Sequence, residues 1–326
     1  GNNDDGMGWL GRVTTSVSGG LGLVNLFDVG GAYGADGAGT TNGTLSFTGI
    51  PLSGLATTLS STAGGAITLY LQDSSLLTNG VIVGRDADAG NPVFRIEIVN
   101  TASIGNPAVY ELQTTLYEAI RHGDPALHDE SIDLMTTAGE VNLNYQVIRI
   151  DGDGDRNTIN SSIVLLDSSS SFFSFDDDGP KVNTFVSGQA VDSVGYLWNA
   201  NDNPFGIDGG SSASIALDGT TYTWHTSTNS IDVTGGVNRL DSFDTTEHRL
   251  VVNLAAGGQF ALDMDDGRYD LPFKLTADVH LNVDYTLVDN DGDRASATLP
   301  IDMLAAQVDL LAGGHAVTGT SRNDVL

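Results

Sequence analysis

The sequence predicts an all-β protein: two tandem antiparallel β-sandwich-like domains, the first enlarged by a short insertion of helical character. Three observations carry this. Segments alternating apolar and polar side chains recur along the chain, 41 glycines punctuate them, and one acidic pattern occurs twice. Alternation with a period of two places every second side chain on one face of a strand, which suits a sheet buried on one side. Clusters of Gly, Asn and Asp between such runs supply the turns.

In chain order, "GTLSFTGI", "AITLYLQD", "PVFRIEIVN", "VNLNYQVIRI" and "NSSIVLLD" read as strands of a first domain. A second set follows in "ASIALDG", "TYTWHTS", "HRLVVNLAA", "QFALDM", "VHLNVDYTLVD" and "RASATLPIDM". The stretch Tyr110–Met135 contains the helix formers of "YELQTTLYEAI", but Gly123 and Pro125 restrict it to a short helical insertion. The expected boundaries are an N-terminal tail or linker at 1–18, the enlarged domain at 19–180, the second domain at 181–304 and a linker at 305–326. The joint is marked by "SFDDDGPKV", where Pro180 follows an acid run.

The acidic pattern belongs to a longer internal repeat. Val141, Leu143 and Asn144 lead into Asp151, Asp153 and Asp155, while Val279, Leu281 and Asn282 lead into Asp289, Asp291 and Asp293, each 138 residues after its counterpart. A second landmark, Gly34-Ala35-Asp36-Gly37, returns as Gly206-Ile207-Asp208-Gly209 after 172 residues, so the first copy holds 34 more between its landmarks.

Composition removes several classes of function. With 13 basic against 42 acidic residues, the formal net charge is −29. That charge repels nucleic-acid phosphates and anionic membranes and suits a chain that binds cations. The expectation is therefore no nucleic-acid partner and no direct membrane insertion, in line with the lack of any apolar run long enough for a membrane span. With no cysteine, disulfides, Cys-ligated zinc and iron–sulfur sites are excluded. The opening "GNNDDGMGWLG" has no basic-then-apolar signal-peptide pattern.

No enzyme is expected. The chain has no G-x-S-x-G elbow, H-E-x-x-H pair, P-loop or dinucleotide glycine pattern, and its six histidines are scattered. His122 and His128 bracket "GDPAL" beside Asp124 and Asp129, but Pro125 keeps the pair off a regular helical face, which favours a surface loop over a metal site. Paired carboxylates are too abundant here to point to a glycosidase.

The aspartates themselves pose the chemical question. "IRIDGDGDRN" begins at Ile148 and "TLVDNDGDRA" at Thr286. Asp-Gly between alternating runs is a tight-turn signal, so a solvated turn is the simplest reading. Against it, three carboxylates so close repel one another unless a positive charge lies between them. Arg156 or Arg294 neutralises only one. Calcium takes six to eight oxygens, and carboxylates at alternating positions of a turn can converge on it. Neither loop is an EF-hand, because Ser162 and Pro300 stand where a bidentate glutamate belongs. Weaker clusters are Asp176, Asp177 and Asp178 at the joint; Asp263, Asp265 and Asp266 in "LDMDDGRYD"; and Asp86, Asp88 and Asn91 in "RDADAGN". Extracellular calcium modules bind at about 10⁻⁴–10⁻³ M, so a chain relying on them folds after export.

Two segments are candidate ligand contacts. "GYLWNANDNPFGIDGG" combines Tyr196, Trp198 and Phe205 with Asn201, Asp202 and Asn203, offering aromatic faces beside amide and acid groups. For Trp198 the competing reading is a core residue beneath a loop; Trp224 alternates with Tyr222 and reads as core or sheet face. In the enlarged domain the second candidate comprises Arg121, His122, Asp124 and Asp129.

The C-terminal "GGHAVTGTSRNDVL" resembles the entry into repeats-in-toxin (RTX) nonapeptides: Gly319, Thr320, Asn323, Asp324 and Leu326 match, and Arg322 replaces the usual glycine. A strand, then "D-x-D-G-D-x-A-x-A-x-L", then a "DDGP" junction is similar to the tandem domains of giant type I-secreted RTX adhesins of Gram-negative bacteria. The resemblance covers roughly Gly19 to Leu326. It implies an outer-membrane-anchored, cell-surface protein, monomeric, with calcium stiffening its linkers and a ligand-binding region just before the RTX repeats. Its implied partners are a glycan or peptide on a host or neighbouring cell and the adjacent domains of the same long chain, in attachment, cohesion or biofilm formation. The alternative is a pair of calcium-rigidified extender domains without a ligand. The two domains differ in length and match little outside the landmarks, which favours a specialised binding region over a spacer.

Overall fold

The structure, a computed structural model, describes residues 10–17, 20–87, 92–122, 131–176, 179–185, 194–199, 203–206, 209–255, 258–271, 279–303, 308–311 and 314–317. The chain forms two compact units, the first ending at Asp176 and the second following it. Both are antiparallel β throughout, and among the described residues the only helical element is one 3₁₀ turn, Leu23–Leu26.

In the first unit, strands are numbered in chain order. β1 (Gly11–Thr15) joins a meander of β3 (Leu55–Ser61), β4 (Gly65–Gln72), β5 (Val81–Arg85), β6 (Phe94–Asn100) and β7 (Tyr110–Leu116), giving a sheet in the order β1-β7-β6-β5-β4-β3. A second sheet, β10-β9-β2, is built from β2 (Ala38–Thr48), β9 (Val141–Asp151) and β10 (Arg156–Leu166). A short pair, β8 (Ser131–Asp133) and β11 (Ser174–Asp176), completes the unit. Alternation explains the core. Leu45 and Phe47 of β2 and Val141 and Leu143 of β9 meet Leu59, Ile67, Leu69, Ile82, Phe94, Ile96, Ile98 and Leu112 of the larger sheet in one buried cluster.

The helical expectation fails at Tyr110–Leu116, which is strand β7. This segment pairs with β6 on one side and β1 on the other, so both of its hydrogen-bonding edges are used. A helix here would leave those ladders unmade, a larger loss than the helix preference of Glu111 and Gln113 can offset. The rest of the expected insertion, 117–122 and 131–135, holds no helix either, and 123–130 lie outside the described residues.

The second unit uses the same strands differently. β13 (Gly210–Leu217), β14 (Thr220–His225), β15 (Ser230–Gly235), β20 (Val279–Asp289) and β21 (Arg294–Met303) form a sheet in the order β15-β14-β13-β20-β21. Its companion runs β12-β19-β18-β17-β16, from β12 (Val194–Tyr196), β16 (Leu240–Asp244), β17 (Arg249–Asn253), β18 (Gln259–Asp263) and β19 (Arg268–Asp270). β22 (Val308–Leu311) and β23 (Gly314–Val317) make a separate hairpin. Ile215, Tyr222, Trp224, Tyr285 and Leu287 pack against Leu250, Val252, Phe260, Leu262 and Tyr269. Where the first unit passes from β2 straight to its other sheet, the second lays down β14 and β15 beside β13 before crossing.

Trp198 sits at the centre of this core at 0% exposure, 6.3 Å from the Tyr285 ring. Gly267 makes room for it. Its φ is +72°, and a Cβ there would lie 2.7 Å from the indole and from the Trp198 amide nitrogen. Gly267→Ala is therefore expected to cost upwards of about 2 kcal/mol. Gly219→Ala has a similar φ of +75° but open space around the new methyl. It should cost about 1 kcal/mol from backbone strain alone. Urea unfolding of both variants checks the difference, and equal losses would refute the packing role of Gly267.

Candidate metal centres

The internal repeat survives in three dimensions down to single hydrogen bonds. β9 and β20 each run between an earlier strand (β2, β13) and a later one (β10, β21). In the first unit Ala38 lies opposite Asp151 and Thr40 opposite Ile150, leaving one bulged residue; in the second, Gly210 lies opposite Asp289 and Ser212 opposite Val288, with the same bulge. A bulge bends its strand and sharpens the local twist. Beside it, Gly152 N–H donates to the Gly37 carbonyl at 3.1 Å, and Asn290 N–H to the Gly209 carbonyl at 3.0 Å. The two landmarks of the sequence are thus brought side by side in each unit.

The turn itself repeats too. Asp151 N–H donates to the Asp155 carbonyl at 3.0 Å and Asp289 N–H to that of Asp293 at 3.2 Å. The Asp155 N–H returns to Asp151 Oδ1 at 2.9 Å, and the Asp293 N–H to Asp289 Oδ1 at 2.7 Å. Gly154 and Gly292 take φ of +101° and +113°, which only glycine adopts without strain, so the third acid always follows a glycine.

Two groups of three carboxylates result, each with ligand atoms within 4.8 Å of one another: Asp36, Asp151 and Asp153 in the first unit, and Asp289, Asp291 and Asp293 in the second. Both can hold a metal ion. The donors are all carboxylate oxygens, a set that suits hard divalent cations and not soft metals. The sites differ in depth. Asp289 and Asp293 are 1% and 2% exposed, whereas Asp36 and Asp153 face solvent. The Asp151 carboxyl is held below the ordinary carboxylate value, first by hydrogen bonding with the Asp153 side chain and then by the N–H groups of Asp155, Gly154 and Asp153. Two carboxylates in such contact need a proton or a cation between them.

Asp36, which the sequence marks only as part of a landmark, is brought by the fold into the first carboxylate group. The available signal was an aspartate at the third position of both landmarks; its counterpart, Asp208, lies outside the described residues. Asp155 is exposed and stands outside the first group, although it was expected in it.

The weaker clusters resolve differently. Asp263 accepts the N–H groups of Asp265 and Asp266, at 3.0 and 3.4 Å, and so caps its own turn. Asp265 pairs with His248 Nδ1 at 2.5 Å. The Asp266 carboxyl is raised by burial, partly offset by the Arg268 N–H. Among the described residues these three do not converge as a ligand set. Asp176 is exposed on β11, while Asp177 and Asp178 lie outside the described residues. Asp86 hydrogen-bonds Ser61 Oγ, and Asp88 and Asn91 lie outside the described residues.

The two candidate ligand segments are described only in part. Trp198 is buried in the core, so its ring has no face free to stack on a ligand; this corrects the surface reading, because the indole fills the space over Gly267. Tyr196 is exposed on the strand β12, and its carbonyl accepts from Asn183 at 2.8 Å. Asn203 is exposed with φ of +49°, and its amide donates to the Gly206 carbonyl at 2.7 Å, which fixes the turn. Phe205 packs partly buried against the core. Asn201 and Asp202 lie outside the described residues. Arg121 is exposed, the His122 ring lies 3.3 Å from the Phe175 carbonyl, and Asp124, His128 and Asp129 lie outside the described residues. A small cavity of about 100 Å³ opens beside the first acid group, lined by Tyr33, Arg149, Asp151, Asp155 and Arg156.

Fold and site together define a class: tandem antiparallel β units, each carrying one turn-borne carboxylate group able to hold a hard cation. Residues 11–163 match a family described as a domain of unknown function (DUF5801), a span running from β1 into β10. No curated protein and no solved structure matches the chain.

A depressed folded value means that the Asp151 carboxylate adds stability above its unfolded value, and that this is lost as pH falls through the folded one. In metal-free buffer, carbon-detected carboxyl titration is expected to place Asp151 below an ordinary aspartate. Asp153→Ala, which removes any side-chain donor, should bring it back toward the ordinary value; no movement would show that the Asp153 side chain is not the main cause.

Proposed function

We propose that this chain is a calcium-dependent adhesin region, exported and displayed at a bacterial surface, that recognises a glycan or peptide without covalent chemistry. The observation that carries the proposal is the duplication of one all-oxygen carboxylate turn, with its bulge and cross-strand hydrogen bonds, in both units. Oxygen-only donors at millimolar extracellular calcium are the conditions under which such turns fill. Filling ties β2, β9 and β10, or β13, β20 and β21, into one rigid end, which lowers the entropy lost when neighbouring loops order on a ligand. The RTX resemblance supplies the surface location and type I secretion. The match to a domain of unknown function is compatible with this reading and adds no activity to it.

The second reading, calcium-stiffened extender domains with no ligand, is favoured by the burial of Trp198. Two measurements separate the readings. Calcium at about a hundred times its dissociation constant should stabilise each site by about 2.7 kcal/mol, seen as a rise in Tm that chelator reverses. Asp289→Asn should remove most of the second unit's share. A Tm indifferent to chelator would sink the calcium reading altogether. A screen against glycans and short C-terminal peptides, in calcium and in chelator, then decides between adhesin and extender: a specific hit supports the adhesin, and none supports the extender.

A further inference from the structure

The outer face of the six-stranded sheet in the first unit is divided by charge along its strands. Ile82 and Ile96 belong to the core, so alternation turns Val83 and Arg85 of β5, and Arg95 and Glu97 of β6, away from it. Register sets the rows of this face. Tyr70, Val83, Arg95, Thr115 and Arg12 form one, and Gln72, Val81, Glu97, Gln113 and Thr14 the next. Arg85 stands two residues beyond Val83, a diagonal neighbour of Arg95 at roughly 7–8 Å between Cα atoms. Arg12 lies two strands from Arg95, roughly 10 Å away. Glu97 and Glu111 occupy rows toward the other end, where the loops 49–54, 73–80 and 101–109 carry the exposed Leu52, Leu76 and Ile104 on hydrogen-bonded turns.

The arginines are held in place without an acid to balance them. Val81 and Val83 are 0% and 1% exposed although they lie on the outer face, because side chains such as Tyr70 and Arg95 lie across β5. Tyr70 is fixed in turn, since a Cβ on Gly54 would lie 2.8 Å from its ring. Arg12 Nε donates to the buried Thr115 Oγ1 at 3.0 Å. Among the described residues Arg85 and Arg95 form no ion pair and no side-chain hydrogen bond, and the Arg95 Nε is sealed from water. Other arginines of this acidic chain do find carboxylates: Arg249 and Arg268 both pair with Asp270. Asp86 and Glu118 stand at the same end of the strands, but Asp86 hydrogen-bonds Ser61 Oγ and neither acid pairs with Arg85 or Arg95. A guanidinium partly withdrawn from water with no partner is poorly compensated, and an anion at its outer nitrogens supplies charge-assisted hydrogen bonds.

We propose that Arg85 and Arg95, with Arg12 beside them, bind the carboxylates of a uronic-acid polysaccharide. This rests on the adhesin reading, and it names both the class of the glycan and the face that holds it. Planar guanidinium forks match carboxylate oxygens in pairs, and two of them at this spacing suit a charge repeated along a polymer. The Tyr70 hydroxyl and the amides of Gln72 and Gln113 stand beside them for the ring hydroxyls of a sugar. A peptide suits the face less well. β4, β5, β6 and β7 each pair on both edges, so no main-chain donor or acceptor is left there for a peptide backbone. The net charge of −29 opposes an anion at long range. At physiological salt, however, charges beyond roughly 8 Å are largely screened, and the acid turn belongs to the other sheet, across the core.

The test is calorimetric titration of the full chain with trigalacturonate in calcium buffer, beside its methyl ester, which keeps the ring hydroxyls and removes the charge. The acid is expected to bind and the ester not. The double variant Arg85→Gln, Arg95→Gln should bind at least about tenfold more weakly. Glu97→Gln, which removes a carboxylate from the next row, should bind more tightly. Arg239→Gln, in the second unit, should match the unaltered chain, which excludes general attraction of an anion to any arginine. A melt checks that each variant is folded, and if the double variant is not, Arg85→Gln alone carries the comparison. Equal binding by the arginine variant overturns the site and leaves carboxylate capture to calcium at the acid turns. Binding of another glycan or of a carboxylate-ended peptide, but not of trigalacturonate, overturns this inference and leaves the adhesin reading standing. Binding of none of them overturns both.

Discussion

The arrangement of both units follows from the repulsion of carboxylates gathered on one turn. At the end of β20, Asp289 and Asp293 are taken almost completely out of water while their backbones are tied to each other. A carboxylate in that setting must be neutralised, by proton, donor or cation. The turn therefore fixes more than a local conformation. It ends β20, starts β21, and through the Asn290 to Gly209 hydrogen bond draws in the strand that precedes both. Its counterpart at Asp151 performs the same joinery closer to solvent, so the two units share one design at two depths of burial.

Around that shared end the units are free to diverge. The first commits only β2, β9 and β10 to the acid-bearing sheet and builds a six-stranded sheet opposite. The second divides its strands five and five. Distributing strands between sheets changes which loops reach the far end, and in the first unit those loops present aliphatic tips on hydrogen-bonded turns. The acid turn and the exposed aliphatic tips thus occupy opposite ends of one small sandwich.

Much of this was legible in the sequence. Period-2 alternation located β4, β6, β9, β13, β17 and β20, because each buries one face against the core of its own unit. The two landmarks and their spacing revealed the internal repeat, but the pairing of β2 with β9 and of β13 with β20 comes from the structure. What was not legible has physical causes. The helix formers of Tyr110–Leu116 lie between two strand edges whose unmet hydrogen bonds outweigh local preference, and those edges come from distant sequence. For Trp198 the sequence left a ligand contact and a core residue both open; what it did not show is the glycine 69 positions later that makes room for the indole. Asp36 joins the first carboxylate group only through the fold, while Asp155, in the motif itself, is not one of its three members.

The pairing lengths also set a load path. β9 is laced to β10 and to β2 by ten paired residues on each side. By contrast β11, the last strand before the chain leaves the first unit, is held to β8 by three. Tension arriving from the C-terminal direction meets this short ladder before any long one. Its peeling exposes Phe175, which is tucked against Phe94, while the acid turn and the sandwich behind it remain laced. Among the described residues, the shortest ladder of the first unit thus lies at its own exit, ahead of the strands that carry the acid turn.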